Sequence, residues 1–365
     1  MKLSFHKDDA IQSIQPIQGI ISSKNILPIL SHIILEADEK TARVIGSDLE
    51  MWVSSPFPAT IETGGSVSIP GRRFLNIIRE LPDTDVTLEA DSDNLTKITC
   101  ARSFFQMKGV SRDEFPAPPQ LGDAPVLSVK QAVLKDLIRK TVYAISIDET
   151  RYVLNGLYLL FETGEITAVA TDGRRLALIK TDCDMPDGFN ASLILPLKAV
   201  QELGRILSDE GEGEITVGDR QISFNFPGVI MISRLIDGRF PNYQQVIPKD
   251  KGTRVKLPRI DFLQMVKRAS LITDDKSNSV KFQFNPGQLK ITAVTPDVGE
   301  AREEMNIDYE GSAMEIAFNP EYIMDVLKAL DEEDEVILEL KDSNSPGIIR
   351  TDGSFLCVVM PMKLT

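Results

Sequence analysis

The chain contains one pattern three times over, and a repeat of that size fixes the architecture before any single residue is interpreted. The stretch ending Ile45-Gly46-Ser47-Asp48 returns as Ala168-Val169-Ala170-Thr171-Asp172 and again as Ala293-Val294-Thr295-Pro296-Asp297. Asp48 and Asp172 lie 124 residues apart, as do Thr171 and Thr295. Further along each copy a short strand delivers the chain to a helix with Pro near its start: Val67-Ser68-Ile69-Pro70, Leu193-Ile194-Leu195-Pro196, and Glu315-Ile316-Ala317-Phe318-Asn319-Pro320. The helices that follow carry apolar residues at helical spacing: Phe74, Ile77, Ile78 and Leu81; Val200, Leu203 and Leu207; Ile323, Val326, Leu327 and Leu330. A second helix opens each copy, read from Ile11, Ile14 and Ile21, from Leu134, Leu137, Ile138 and Ile145, and from Phe262, Met265, Val266 and Ala269; Pro16 interrupts the first.

Between the helices come short alternating runs such as Ile215-Thr216-Val217 and Val336-Ile337-Leu338-Glu339-Leu340, separated by Gly, Asp and Asn turns, which read as antiparallel strands. The first two copies close alike on Phe115-Pro116 and Phe240-Pro241, 125 residues apart. The expectation is an α+β chain of three repeated domains, 1–122, 123–250 and 251–365, each with two helices against antiparallel sheet. A chain of 365 residues is long enough for three independent cores.

Three cysteines, Cys100, Cys183 and Cys357, form neither a disulfide framework nor a metal cluster, so a reducing, cytoplasmic setting is expected. His6, Lys7, Asp8 and Asp9 interrupt the amino terminus before a signal-peptide core could form, and no apolar run reaches the length of about 18 residues that a membrane helix needs. Formal charge is −14, which taken alone argues against nucleic acid. The charge is unevenly placed, however. The six helical segments (6–16, 71–81, 130–140, 197–207, 258–269 and 319–330) together carry +6, which leaves −20 for the rest. Helices bearing Arg72, Arg73, Arg79, Lys135, Arg139, Lys198, Arg205, Arg259 and Lys267 on their polar faces would form a sequence-independent track for phosphates; singly, each reads as an ordinary solvated helix face. Six helices packed in a circle at about 9 Å spacing enclose a hole of only roughly 7 Å, whereas twelve enclose roughly 24 Å, enough for a duplex about 20 Å across. Two chains, not one, could surround DNA.

At this point the residues resemble the β subunit of bacterial DNA polymerase III, the sliding-clamp family. The likeness runs end to end and is most specific at Leu27-Pro28-Ile29-Leu30, Ser47-Asp48-Leu49-Glu50-Met51, Arg151-Tyr152-Val153-Leu154-Asn155-Gly156, Ala170-Thr171-Asp172-Gly173-Arg174-Arg175-Leu176-Ala177, Asp237-Gly238-Arg239-Phe240-Pro241 and Val358-Val359-Met360-Pro361-Met362. The resemblance implies a head-to-tail homodimeric ring around double-stranded DNA, opened and closed by an ATP-dependent clamp loader. It also implies a pocket that receives short peptides from the polymerase III catalytic subunit and from other polymerases and repair proteins. The matching pocket positions are Leu154, Thr171, Gly173, Arg174, Arg175, Leu176, Pro241, Val246, Val358, Met360, Pro361 and Met362. For DNA the matches are Lys24, Arg72, Arg73 and Lys198, to which Arg79 is added from the helix track. The dimer contact would join Arg102, Phe105 and Lys108 to Leu271, Ile272, Glu303 and Glu304. Read without the resemblance, Phe105, Leu271 and Ile272 are equally core residues, and 358–362 a final core strand. Three positions depart from the family pattern: Arg174 stands where relatives often have His, Gln245 where they have Arg, and Glu149 where they have a neutral residue.

An enzyme is the rival reading. Asp48, Asp172 and Asp297 offer carboxylates, but at equivalent places in three separate domains, where they suit strand-end turns better than one converging active site. His6 and His32 have no partner at metal-ligand spacing, and no phosphate-binding glycine loop is present. No catalytic residue, metal or cofactor is expected. A protein scaffold that does not bind DNA would share the fold and the pocket but need no positive lining.

Overall fold

The computed structural model describes residues 1–363 apart from 22–26, 123, 187, 250–251, 275–277 and 297. Among the described residues six α-helices follow the sequence pattern, α1 Lys7–Ile14, α2 Gly71–Glu80, α3 Gln131–Arg139, α4 Leu197–Ile206, α5 Arg259–Ala269 and α6 Pro320–Ala329, although α1 and α3 stop short of Ile21 and Ile145, which the apolar spacing includes. Pro16 ends α1 as expected, and the chain tightens into a 3-10 turn over Gln15–Ile17. In α2, Phe74, Leu75 and Ile78 are buried while Arg72, Arg73, Asn76 and Arg79 stay in solvent. Burying each such apolar side chain contributes about 1.5–3 kcal/mol. Gly71 lets that helix approach closely, since a side chain there would strike Ile33 and Ile21.

The chain divides into two compact units, Met1–Ala132 with Gln201–Leu235, and Val133–Val200 with Ile236–Thr365. Each unit holds one eight-stranded sheet that crosses a border between repeats. In the first unit, Val229–Arg234 of the middle repeat pairs antiparallel with Met51–Pro56 of the first, with Ile230 opposite Ser54 and Ile232 opposite Trp52. In the second, Arg175–Asp182 pairs with Leu356–Val359, with Leu176 opposite Val358. The first unit also carries a five-stranded sheet ending on Ser103–Lys108, and the second a four-stranded sheet ending on Gly299–Asn306. Among the described residues, neither of those last strands has a neighbour on its outer side.

The cores repeat as the sequence does. Phe5 packs edge-on against Phe57 and Phe74 in the first repeat, and Phe282 against Phe262 and Phe318 in the third. Phe115 is buried with Ile34, Ile45, Trp52 and Ile232 where the first sheet crosses its border. Phe240 takes the same place in the second unit, stacked on Tyr158 at 4.8 Å beside Leu176, Leu178 and Val358. The matching Phe-Pro pairs thus mark equivalent corners.

Two of the repeat-related aspartates act in turns. Asp48 Oδ1 accepts from the backbone N–H groups of Glu50 and Met51, at 3.0 and 2.7 Å. Asp172 Oδ1 accepts from Arg174 and Arg175 at 2.8 and 2.9 Å. These are Asx turns closing hairpins, which is the role the sequence assigned over catalysis. The residue after each aspartate sits at positive φ: Gly173 at 83°, free of strain, and Leu49 at 78°, where a side chain is disfavoured. Asp297 lies outside the described residues.

Candidate peptide pocket, DNA-facing helices and open sheet edges

The pocket residues come together within the second unit. Leu176 and Val358 are cross-strand partners, both buried, and Leu154 is 8% exposed at the end of the segment Glu149–Leu154. Gly238 packs against Val153 and Tyr152, which ties that segment to the Arg239-Phe240-Pro241 corner. Above this floor, apolar side chains face solvent: Val246, Met360 and Met362 are 51%, 45% and 37% exposed. Past its strand, the terminal segment is held by backbone bonds from Met360 N to Arg174 O (2.9 Å) and from Met362 N to Ala317 O (2.7 Å). Thr171 Oγ1 donates to Arg175 O at 2.6 Å and accepts from Gly173 N at 3.0 Å, so Thr171 and Gly173 shape the hairpin. The result is an apolar floor with exposed methionines beside it, and methionine suits a surface that must fit several ligands.

Arg174 and Arg175 are adjacent but differ in environment. The Arg175 guanidinium is 11% exposed and pairs with Asp172 at 3.1 Å and Asp325 of α6 at 2.7 Å. It also donates to Tyr143 O at 2.5 Å and lies over the Tyr322 ring at 4.5 Å. Beneath it, the Tyr143 hydroxyl and Cys357 are both buried; loss of hydration pushes the Cys357 thiol up to about 12 and raises the Tyr143 phenol. Arg175 therefore anchors the pocket wall to α6. Arg174, by contrast, is exposed, and it makes no ion pair among the described residues.

The expected DNA residues do not form one described cluster. Arg72, Arg73 and Arg79 share the exposed face of α2, and Arg79 Nη2 donates to Gln18 at 3.1 Å. Lys198 is exposed on α4, and Lys24 lies outside the described residues. Arg205 is two-thirds exposed but tied to the buried Glu202, at 2.6 Å. Two members of the helix track need correction. Arg259 is only 8% exposed, because its guanidinium folds over the carbonyl end of α6 and donates to the oxygens of Leu327 (3.0 Å), Asp331 (3.2 Å) and Glu333 (2.7 Å). Arg139 is partly neutralised by Asp136 at 2.6 Å, Glu332 at 3.1 Å and Asp331.

The proposed contact residues lie at the two unpaired edges. On Ser103–Lys108, Phe104 and Phe105 are 60% and 38% exposed, flanked by exposed Arg102 and Lys108. A groove of about 630 Å³ beside Phe105 is also lined by Arg72, Arg73, Ile77 and His32. In the second unit Leu271 is 75% exposed and Ile272 intermediate, in the turn after α5 that touches the edge strand Gly299–Asn306. Exposure removes the core reading for Leu271 and Phe105. Glu303 is held within the chain by Arg268, at 3.0 and 2.5 Å, which keeps its carboxyl below the usual range, and Arg302 pairs with Glu304. Phe104 was not read from the sequence; adjacent residues on a strand face opposite sides, so one of two neighbouring phenylalanines is expected to be covered.

The fold also gathers His6, Asp8 and Asp83, whose ligand-type atoms lie within 4.8 Å of one another. The aspartates are exposed and His6 contacts Asp83 at 3.6 Å, so the group reads as a solvated ion pair at a helix start. No helix among the described residues is long and apolar enough to cross a membrane.

Three domain models match in order: the N-terminal domain of DNA polymerase III beta subunit over residues 1–119, the central domain over 128–242 and the C-terminal domain over 244–363. The chain is 33% identical to the beta sliding clamp of Chlamydia muridarum, covering all of this chain and 99% of that one. It is 32% identical to that of Bacillus subtilis, covering the whole of both. The crystal structure of the Bacillus subtilis DNA polymerase sliding clamp superimposes with a TM-score of 0.95 over the full length of each chain. A Pseudomonas aeruginosa sliding clamp bound to griselimycin gives 0.94 at 29% identity, again over both full lengths. Matched along its whole length, domain by domain and in the same order, the chain belongs to the DNA polymerase III beta subunit family, that of the bacterial beta sliding clamps.

Proposed function

We propose that this chain is a non-catalytic processivity factor that closes as a head-to-tail homodimer around double-stranded DNA and tethers the replicative polymerase to it. Its domains divide near residues 122 and 250. The observation that carries the reading is the pair of unpaired strand edges. Within the chain, each border between repeats is bridged by an antiparallel strand pair, and the terminal sheets leave Ser103–Lys108 and Gly299–Asn306 open. Pairing one copy's first edge with another copy's last would extend the same construction between chains and cover Phe104, Phe105 and Leu271. Arg102 and Lys108 would then face Glu303 and Glu304.

Topology rather than affinity holds such a ring on DNA, so modest phosphate contacts from Arg72, Arg73, Arg79 and Lys198, screened by salt, are sufficient and permit sliding. The pocket around Leu176, Val358, Met360 and Met362 receives short peptides from the polymerase III catalytic subunit, the ATP-dependent clamp loader and other polymerases or repair proteins. Tethering raises the polymerase's local concentration at the primer end, so rebinding outpaces escape. Three free cysteines agree with a cytoplasmic setting.

The test is retention on a nicked circular plasmid, loaded with a clamp loader from a relative and ATP, before and after one cut linearises it. Release on cutting is the expected outcome. Continued binding to the linear product would mean that direct affinity holds the protein, and the ring reading would be abandoned.

A further inference from the structure

We infer that Arg174 selects the peptides this pocket accepts, by reading an acidic side chain in a short segment whose apolar residues fill the floor. The inference rests on the peptide-pocket reading and deepens it. Four observations carry it. Arg174 is mounted rigidly: its N–H donates to Asp172 Oδ1 at 2.8 Å, and its carbonyl accepts from Met360 N at 2.9 Å. The second bond places it directly beside Met360, the most exposed apolar side chain of the terminal segment. Its guanidinium is in solvent and faces no carboxylate at ion-pair distance among the described residues, whereas Arg175, one residue on, is saturated by Asp172 and Asp325. The Tyr322 side chain beside it favours its charged form and helps orient it. Arg151, the other cation near the hairpin, is occupied by Asp148 at 3.1 Å and by the carbonyl of Asp172 at 3.0 Å.

The surroundings support one sign of charge. Arg239 precedes the Phe240-Pro241 corner and Lys363 follows Met362; both are exposed. Gln245, next to Val246, is exposed and neutral, so the reading of charge falls to the Arg174 side of the pocket. A guanidinium offers paired donors that match a carboxylate, and a ligand that neutralises it gains a contact its amide counterpart lacks.

The experiment uses fluorescence anisotropy with labelled hexapeptides that carry two large apolar side chains as anchors, the anchors varied across the set. Asp is walked through the other positions, and each Asp peptide is paired with its Asn counterpart. Full-length wild type, Arg174→Gln and Arg174→Lys are compared at low and high salt. At one position Asp should bind wild type about three- to five-fold more tightly than Asn, as expected for a partly exposed charge contact, and high salt should shrink the difference. Arg174→Gln should abolish that preference, and Arg174→Lys should retain part of it. Equal Asp and Asn affinities at every position, or a preference that survives in Arg174→Gln, would overturn the inference and leave the pocket standing. Absence of binding by every peptide to wild type would overturn both.

Discussion

Leu271→Ala is the sharpest probe of the intermolecular contact, because the side chain is 75% exposed in the single chain and so contributes little to folding. Full burial of a leucine is worth about 1.5–3 kcal/mol, and the exposed three quarters therefore stand to gain about 1–2 kcal/mol on association. A head-to-tail ring of two chains contains that contact twice, so the loss per ring is about 2–4 kcal/mol, or roughly 30- to 1,000-fold in the dimer dissociation constant. Sedimentation equilibrium across nanomolar to micromolar concentrations reads this directly. Folding stability is best compared in a background made monomeric by Phe104→Asp, since dissociation itself lowers an apparent Tm. There Leu271→Ala should move stability by no more than about 0.5 kcal/mol. An unchanged dimer constant would place Leu271 outside the contact; a loss of 2 kcal/mol or so in the monomer would return it to a core role.

Arg259→Met should destabilise the second unit by about 3 kcal/mol in urea titration, because it strips a charged donor from the carbonyls of Leu327, Asp331 and Glu333; a change under about 0.5 kcal/mol would mean that those bonds are solvent-replaceable. Cys183 should alkylate in the native protein ahead of Cys100 and Cys357, which are buried, and mass spectrometry of the labelled peptides ranks them. The pH dependence has a definite sign. A folded thiol raised to about 12 stays protonated while the unfolded one ionises from 9 upward, so its contribution is complete below pH 9 and lost as pH climbs toward 12. Melting temperature should fall across that window, and Cys357→Ala should flatten the fall; an unchanged slope would assign the alkaline loss elsewhere.

The helices were legible because their signal is local. A Pro near the start and apolar residues at a period of 3.6 placed a helix over 71–81 and another over 319–330, against Gly71–Glu80 and Pro320–Ala329 in the structure. The turn role of Asp48 and Asp172 was legible for the same reason, since an Asx turn reaches only two or three residues. What the sequence could not show is long-range. Ile230 pairs with Ser54 and Leu176 with Val358, and nothing within either strand names its partner. Arg259 looks like any solvated cation at a helix start, and only the return of the chain after α6 brings carbonyls to it. The pocket combines both limits. Val358 to Met362 reads as a core strand, and its first two residues are buried as such, but Met360 and Met362 emerge because the chain leaves the sheet beside Arg174.

The two open edges also bear on the paradox of an acidic protein at DNA. Ser103–Lys108 and Gly299–Asn306 present unpaired backbone groups, and the first carries two exposed phenylalanines; left uncovered, such edges recruit further strands. Because the edges differ, a contact between them would be heterologous, and a heterologous contact either closes into a ring or propagates as a filament. Closure at two copies requires each repeat to turn the chain by about 60°. In the proposed ring the formal charge of −14 would serve the closed form, since rings of like charge repel one another instead of associating. The same charge would weaken affinity for DNA, so that enclosure rather than adhesion would do the holding. A discrete species of two chains in sedimentation, with no ladder of higher forms as concentration rises, is the behaviour this arrangement demands; a ladder would mean that the edges meet without closing.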